Sequence, residues 1–129
     1  MRNWISLITE TQSNTILITD LYSERDLTDE SELISQYAPP IDWDNPLTIK
    51  VMPVDQIKTL LDIRERSILQ SFRNATKDQR ELVKYKIDNF DAERIVVLCD
   101  DTVIDGNHHV IAAIRASKPI RYVDLSEWD

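Results

Sequence analysis

At 129 residues with 42% apolar side chains, the chain holds enough material for one packed domain and too little for two. Its formal charge of -8 disfavours DNA and RNA, since non-specific affinity for nucleic acid comes from neutralising phosphates with Lys and Arg. The single cysteine, Cys99, excludes an internal disulfide and a four-cysteine zinc site.

The charge is uneven. Residues 1–49 carry two basic against nine acidic side chains, and residues 50–129 carry 13 against 14. A small anionic ligand stays compatible with this balance, because a few donors make a locally positive site on a negative protein. No apolar run approaches the ~20 residues needed to span a bilayer, and the first residues lack a signal-peptide pattern. A cytoplasmic protein without membrane contact is expected.

In chain order, Trp4, Ile5, Leu7 and Ile8 are spaced for one face of a short helix, and Thr15-Ile16-Leu17-Ile18 leans toward strand. Asp29 to Ile34 has the acidic first turn of a helix, which Pro39-Pro40 would end. An extended connection through Asp42, Asp44 and Pro46 follows, with Trp43 as its one large anchor. Thr48 to Val51 reads as a strand stopped by Met52-Pro53, and Val54 to Ile57 as a helical turn. The middle of the chain, with Leu69, Phe72, Leu82, Val83, Ile87 and Phe90, is expected to be mostly helical. Thr76 stands three residues before Gln79, the spacing of a capping box, ahead of a helix over 79–89.

Ile95 to Leu98, the turn Asp100-Asp101 and Thr102 to Ile104 form a hairpin signal. Cys99, at the end of its apolar run, is read as a small hydrophobe. A helix of two to three turns should follow Gly106 and stop near Ser117-Lys118-Pro119. Ile120 to Leu125 supplies a last strand, with Trp128 packing back. Strands and helices are mixed and the hairpin is antiparallel, so the expected class is α+β. The expected organisation is a single domain over 1–129, with 1–47 an acidic extension packed on a core at 48–125.

The stretch Asp105-Gly106-Asn107-His108-His109 holds the only glycine and both histidines, between a strand and a helix. A glycine there admits backbone angles closed to other residues and leaves room for a ligand beside the main chain. The N–H groups of residues 106–109 would be among the unpaired donors of a helix start, which favours phosphate or carboxylate. Asp105 could equally be an N-cap, accepting from a backbone N–H two or three residues on. Neither histidine falls in the apolar pattern set by Val110 and Ile111, which leans toward a role for both. His108 and His109, as helix neighbours, diverge too far to share one metal ion, and a structural zinc is not expected. Asp105 could approach a magnesium ion carried in by phosphate.

The run Val103 to Ala113 resembles the signature loop of the ParB N-terminal domain and sulfiredoxin superfamily, in which a strand ends in Asp-Gly and continues as a variable residue, His-Arg and a helix with paired alanines. Ile49 to Ile57 is similar to that family's opening strand and Pro-Val-Asp-x-Ile turn, so the resemblance covers residues 48–125. It implies a nucleotide-binding fold that holds a polyphosphate at the helix start through Gly106, Asn107 and His108, with ATP, ADP or CTP and Mg2+ as cofactors. Where the family has arginine this chain has His109, which removes a permanent charge and a fork of donors. Arg64 and Arg66, in the region where relatives place active-site residues, are candidates to replace that charge, and Glu65 to serve as general base. A solvated charged face is the alternative for that trio. Asn107 stands where sulfiredoxins have their reactive cysteine, which excludes their repair chemistry. The chain also lacks room for the DNA-binding and dimerisation domains of a partition protein.

Three functions compete at this level. One is a nucleotide- or phosphate-binding protein acting as phosphotransferase or nucleotide hydrolase, with His108, His109 and Glu65 as its chemical groups. Another is a catalytically weak regulatory member whose acidic segment, including Asp26, Glu30 and Glu32, engages a basic protein partner. The third is a ParB-like nuclease. A monomer and a homodimer both fit, and whether the protein is an enzyme stays open.

Overall fold

The computed structural model describes residues 14–22, 34–36 and 41–128. The helix expected at Trp4 to Ile8, the Pro39-Pro40 stop and the acidic Asp26, Glu30 and Glu32 lie outside the described residues. Besides a helical piece at 34–36, ten elements of α-helix and β-strand among the described residues make an α+β structure. They are β1 Thr15–Ile16, β2 Leu47–Thr48, β3 Lys50–Met52, α1 Val54–Ile57, α2 Ile68–Ser71, α3 Lys77–Asp88, β4 Ile95–Cys99, β5 Thr102–Asp105, α4 Asn107–Ala116 and β6 Ile120–Asp124. Short 3-10 turns sit at Ile18–Asp20, Phe72–Asn74 and Leu125–Trp128. No described helix is long and apolar enough to cross a membrane.

The main sheet is mixed, in the order β3-β6-β4-β5. β3 and β6 pair antiparallel, β6 and β4 parallel, and β4 and β5 antiparallel. The last strand of the chain thus inserts between the first strand of the sheet and the hairpin, and α4 makes the crossover that a parallel pair requires. β1 and β2 form a separate two-stranded ladder, Thr15 opposite Thr48 and Ile16 opposite Leu47. The expected strand Thr48 to Val51 is therefore two strands. Its first half serves β1 and its second half β6, with the change at Ile49, whose N–H is bonded to the Asn14 carbonyl. The expected boundary between extension and core also falls inside β2.

Alternation along the strands fills two cores. Val96, Leu98, Val103 and Ile120 face the helices, where Ile57, Leu60, Ile68, Phe72, Val83 and residues 110–114 close the layer. Val97, Ile104 and Val123 face the other way, onto Ile18, Ile34, Leu47, Leu125 and Trp128. Both faces of the sheet are thereby sealed, as a period of two demands of strands buried on each side. Trp43 anchors the extended connection as expected, its ring edge-on to Trp128 with centroids 6.1 Å apart.

The middle of the chain from Leu69 on is mostly helical as expected, through α2, the 3-10 turn and α3, but the residues just before it are not. Leu61 bridges Ser67 and Thr102, and residues 62–66 form a tight turn before the single-turn α2. Asp62 causes this: its Oδ1 accepts from the N–H of Arg64 at 2.8 Å and of Arg66 at 3.0 Å, a side-chain arrangement that competes with helix. Glu65 completes the turn at φ 62°, outside the helical region. α3 begins where the capping box set it, with Thr76 Oγ1 accepting from the Gln79 N–H and Gln79 Oε1 from the Thr76 N–H.

Candidate functional site

The hairpin delivers β5 to the start of α4, and the turn between them is Gly106 at φ 110° and ψ 24°. Only glycine takes these angles without strain, and an added Cβ would stand 3.2 Å from a Val96 methyl. Gly106 is itself the N-cap and offers no side chain. The expected cap from Asp105 is therefore corrected: Asp105 is the last residue of β5, opposite Val97. Its Oδ2 accepts from the Tyr22 hydroxyl at 2.9 Å and from Arg94 Nη2 at 3.2 Å, leaving the helix start open. The first bond of α4 is Val110 N–H to the Gly106 carbonyl. The N–H groups of Asn107, His108 and His109 precede it, so α4 has no carbonyl for them.

Two clefts flank this turn and share Asn107 and His108. One, of about 260 Å³, is walled by Gly106, Asn107, His108 and His109, by Asp105 and Ile104, and by Leu82, Lys86 and Arg94. The other, of about 220 Å³, runs under α2, with apolar walls from Ile68, Phe72, Ala75 and Ile111 and a polar side of Asp62, Arg66, Ser71, Asn74 and Gln79. Gln79, Leu82 and Lys86 lie at i, i+3 and i+7 along α3, the spacing of one helix face.

The first cleft is cationic. Lys86 and Arg94 face the helix start, whose own dipole adds partial positive charge. Arg94 is braced against Asp105, and its Nε–H is buried without an acceptor. The two histidines differ. His109 is 3% exposed and stacks on Phe90 at 4.8 Å between centroids, so it belongs to the buried face of α4, contrary to the expectation that it stands clear of the apolar pattern. Burial first, and then Arg94 and Lys86, push its imidazole down to about 4, against a smaller pull from Asp91. It is neutral near pH 7 and does not restore the charge that arginine would carry. His108 is half-buried between the clefts, its imidazole also lowered, by burial and then Lys86.

Arg64, Glu65 and Arg66 are exposed on the turn before α2, and of the three only Arg66 reaches a cleft. Arg66 is committed to Asp62 through Nε at 3.2 Å and Nη2 at 3.1 Å. Arg64 and Glu65 line neither cleft, so the expected replacement cation and the expected general base are not brought to the turn. The groups that sequence reasoning missed are Lys86, Arg94, Asp62 and Ser71. Helical spacing from Gln79 would have found Lys86, whereas nothing local marks Arg94. Asp62 is 7% exposed. Burial raises its carboxyl, but the Ser71 hydroxyl, the N–H groups of Arg66 and Arg64 and the Arg66 guanidinium together hold it below the ordinary value.

For a metal, no group of three or more His, Cys, Asp and Glu side chains is placed to hold an ion among the described residues. Asp105, the expected magnesium ligand, already has one oxygen held by a hydroxyl and a guanidinium. The described residues do not build a magnesium site by themselves. Comparison with protein-family models, curated proteins and solved structures returns no match to this chain.

Proposed function

We propose that this protein binds a polyphosphate, most simply that of a nucleotide, in the cationic cleft at the start of α4. One observation carries the reading: a left-handed glycine turn leaves the leading N–H groups of α4 open where Lys86 and Arg94 converge. Backbone donors, a helix dipole and two permanent cations are complementary to phosphate oxygens. The neighbouring cleft, with apolar walls and a shared edge at Asn107 and His108, suits the organic part of the same ligand and favours a nucleotide over free phosphate. The resemblance to the ParB and sulfiredoxin superfamily agrees with this reading, with Lys86 and Arg94 in the role of the arginine that His109 replaces.

Binding is better supported than turnover. His109 is neutral and stacked, Glu65 lines neither cleft, and His108 is the acid–base group that the clefts share. Any Mg2+ would arrive with the phosphates, and no step is assigned to it. The test is calorimetric titration with pyrophosphate, ATP, ADP and CTP, each with Mg2+, alongside Lys86→Met and Arg94→Met. Removing either cation should weaken binding by about tenfold, the size of one charge-assisted hydrogen bond. Absence of heat for all four ligands at millimolar concentration would dismiss the reading. Phosphate release that disappears in His108→Ala would turn a binding protein into a hydrolase.

A further inference from the structure

Asp105 stands on the wall of the cationic cleft, where a carboxylate opposes an arriving phosphate. Its surroundings show how that charge is handled. Oδ2 receives two donors, one permanently charged and one neutral: Arg94 Nη2 at 3.2 Å and the Tyr22 hydroxyl at 2.9 Å. Tyr22 comes from 83 residues upstream, just past the 3-10 turn whose Ile18 is sealed in the second core. Arg94 keeps one guanidinium corner on Asp105 while the side chain lines the cleft.

We propose that Tyr22 is a positioning residue for the anion cleft, acting through Asp105 on Arg94. The inference rests on the anion-binding reading above. The hydroxyl meets part of the hydrogen-bonding demand of the Asp105 carboxylate, so Asp105 braces Arg94 at one nitrogen without drawing the whole guanidinium onto itself. The rest of the guanidinium stays at the cleft for phosphate. Remove the hydroxyl, and the carboxylate competes with the ligand for Arg94 and repels it more strongly. The N-terminal segment then completes the site as well as covering the second core.

The test is a double-mutant cycle on the full chain with pyrophosphate as probe: wild type, Tyr22→Phe, Asp105→Asn and the double variant, each by calorimetry and urea unfolding. Tyr22→Phe should bind about tenfold more weakly, as loss of a hydrogen bond to a charged group implies. In the Asp105→Asn background the same change should move affinity by less than about twofold, because no carboxylate is left to compensate. The Arg94 Nε–H resonance should shift in Tyr22→Phe without ligand, which a loss of packing alone would not produce. Unchanged affinity in Tyr22→Phe, or an equal loss with and without the Asp105 carboxylate, would overturn the proposal while leaving the anion cleft standing. A wild type that does not bind pyrophosphate would remove the cleft reading and this inference together.

Discussion

Gly106 and His109 show how differently adjacent parts of one turn are constrained. Gly106 needs its identity twice over: φ is 110°, and a new Cβ would press within 3.2 Å of Val96. Gly106→Ala should therefore cost about 1 kcal/mol or more of stability, read as a lower urea midpoint, before any ligand is added. His109 predicts a pH effect. The folded state holds its imidazole at about 4 against an ordinary 6.5, so the unfolded chain takes up the proton first as pH falls. Stability is full above about pH 6.5 and declines toward about pH 4, by roughly 3 kcal/mol at ~1.4 kcal/mol per unit. Urea midpoints from about pH 7 to about pH 4 should record this loss. His109→Phe, which keeps a ring against Phe90, should flatten most of that slope. His108, also shifted down, should leave a smaller slope of the same sign. Both histidines were visible in the sequence as candidates, but spacing could not say that His109 is a buried ring at the edge of one cleft and His108 a half-buried wall shared by both. That depends on where Phe90, Lys86 and Arg94 arrive.

At the level of elements, the helix start at Thr76 was legible because a capping box is a rule about residues three apart. Thr76→Ala should remove the bond from the Gln79 N–H to the Thr76 hydroxyl, while the backbone N–H of residue 76 keeps Gln79 Oε1 within reach, and cost about 1 kcal/mol, measurable as a lower unfolding midpoint with the fold retained. The face of α3 that carries Lys86 would fray first from that end. The hairpin was legible for the same reason. Its turn residue Asp100 takes φ 54°, a conformation that a short polar side chain tolerates. α4 is capped by Ser117, also left-handed at φ 55°, directly before Lys118-Pro119. The turn at 62–66 was not legible. Arg64, Glu65 and Arg66 look equally at home on a charged helix face, and the deciding agent is the buried Asp62, bound to Ser71 and Arg66. A carboxylate that organises a loop has the same one-letter signature as one that faces water.

Across the whole molecule, the second core joins parts of the chain that no local pattern connects: Ile18 and Ile34 meet Val97, Ile104, Val123 and Trp128 over the far face of the sheet. Ile18, fully buried, should cost about 2–5 kcal/mol when cut to alanine, and urea unfolding should show the sheet and the N-terminal ladder melting in one transition. An N-terminal ladder that melts separately, leaving the sheet intact, would show that the second core is not integral to the fold. The α+β class, the capped helix, the hairpin, the glycine turn into α4 and the last strand with its tryptophan were all legible in the linear chain, because each rests on residues within a few positions of one another. Tertiary structure alone decided that β6 lies between β3 and β4, that β2 leaves the main sheet for β1, and that His109 is interior. It also decided which cations stand over the turn. Lys86 from a helix, Arg94 from the approach to a strand and Tyr22 from the N-terminal segment reach one place only when the two cores close the sheet from both sides, and packing over such distances leaves no period in a linear pattern.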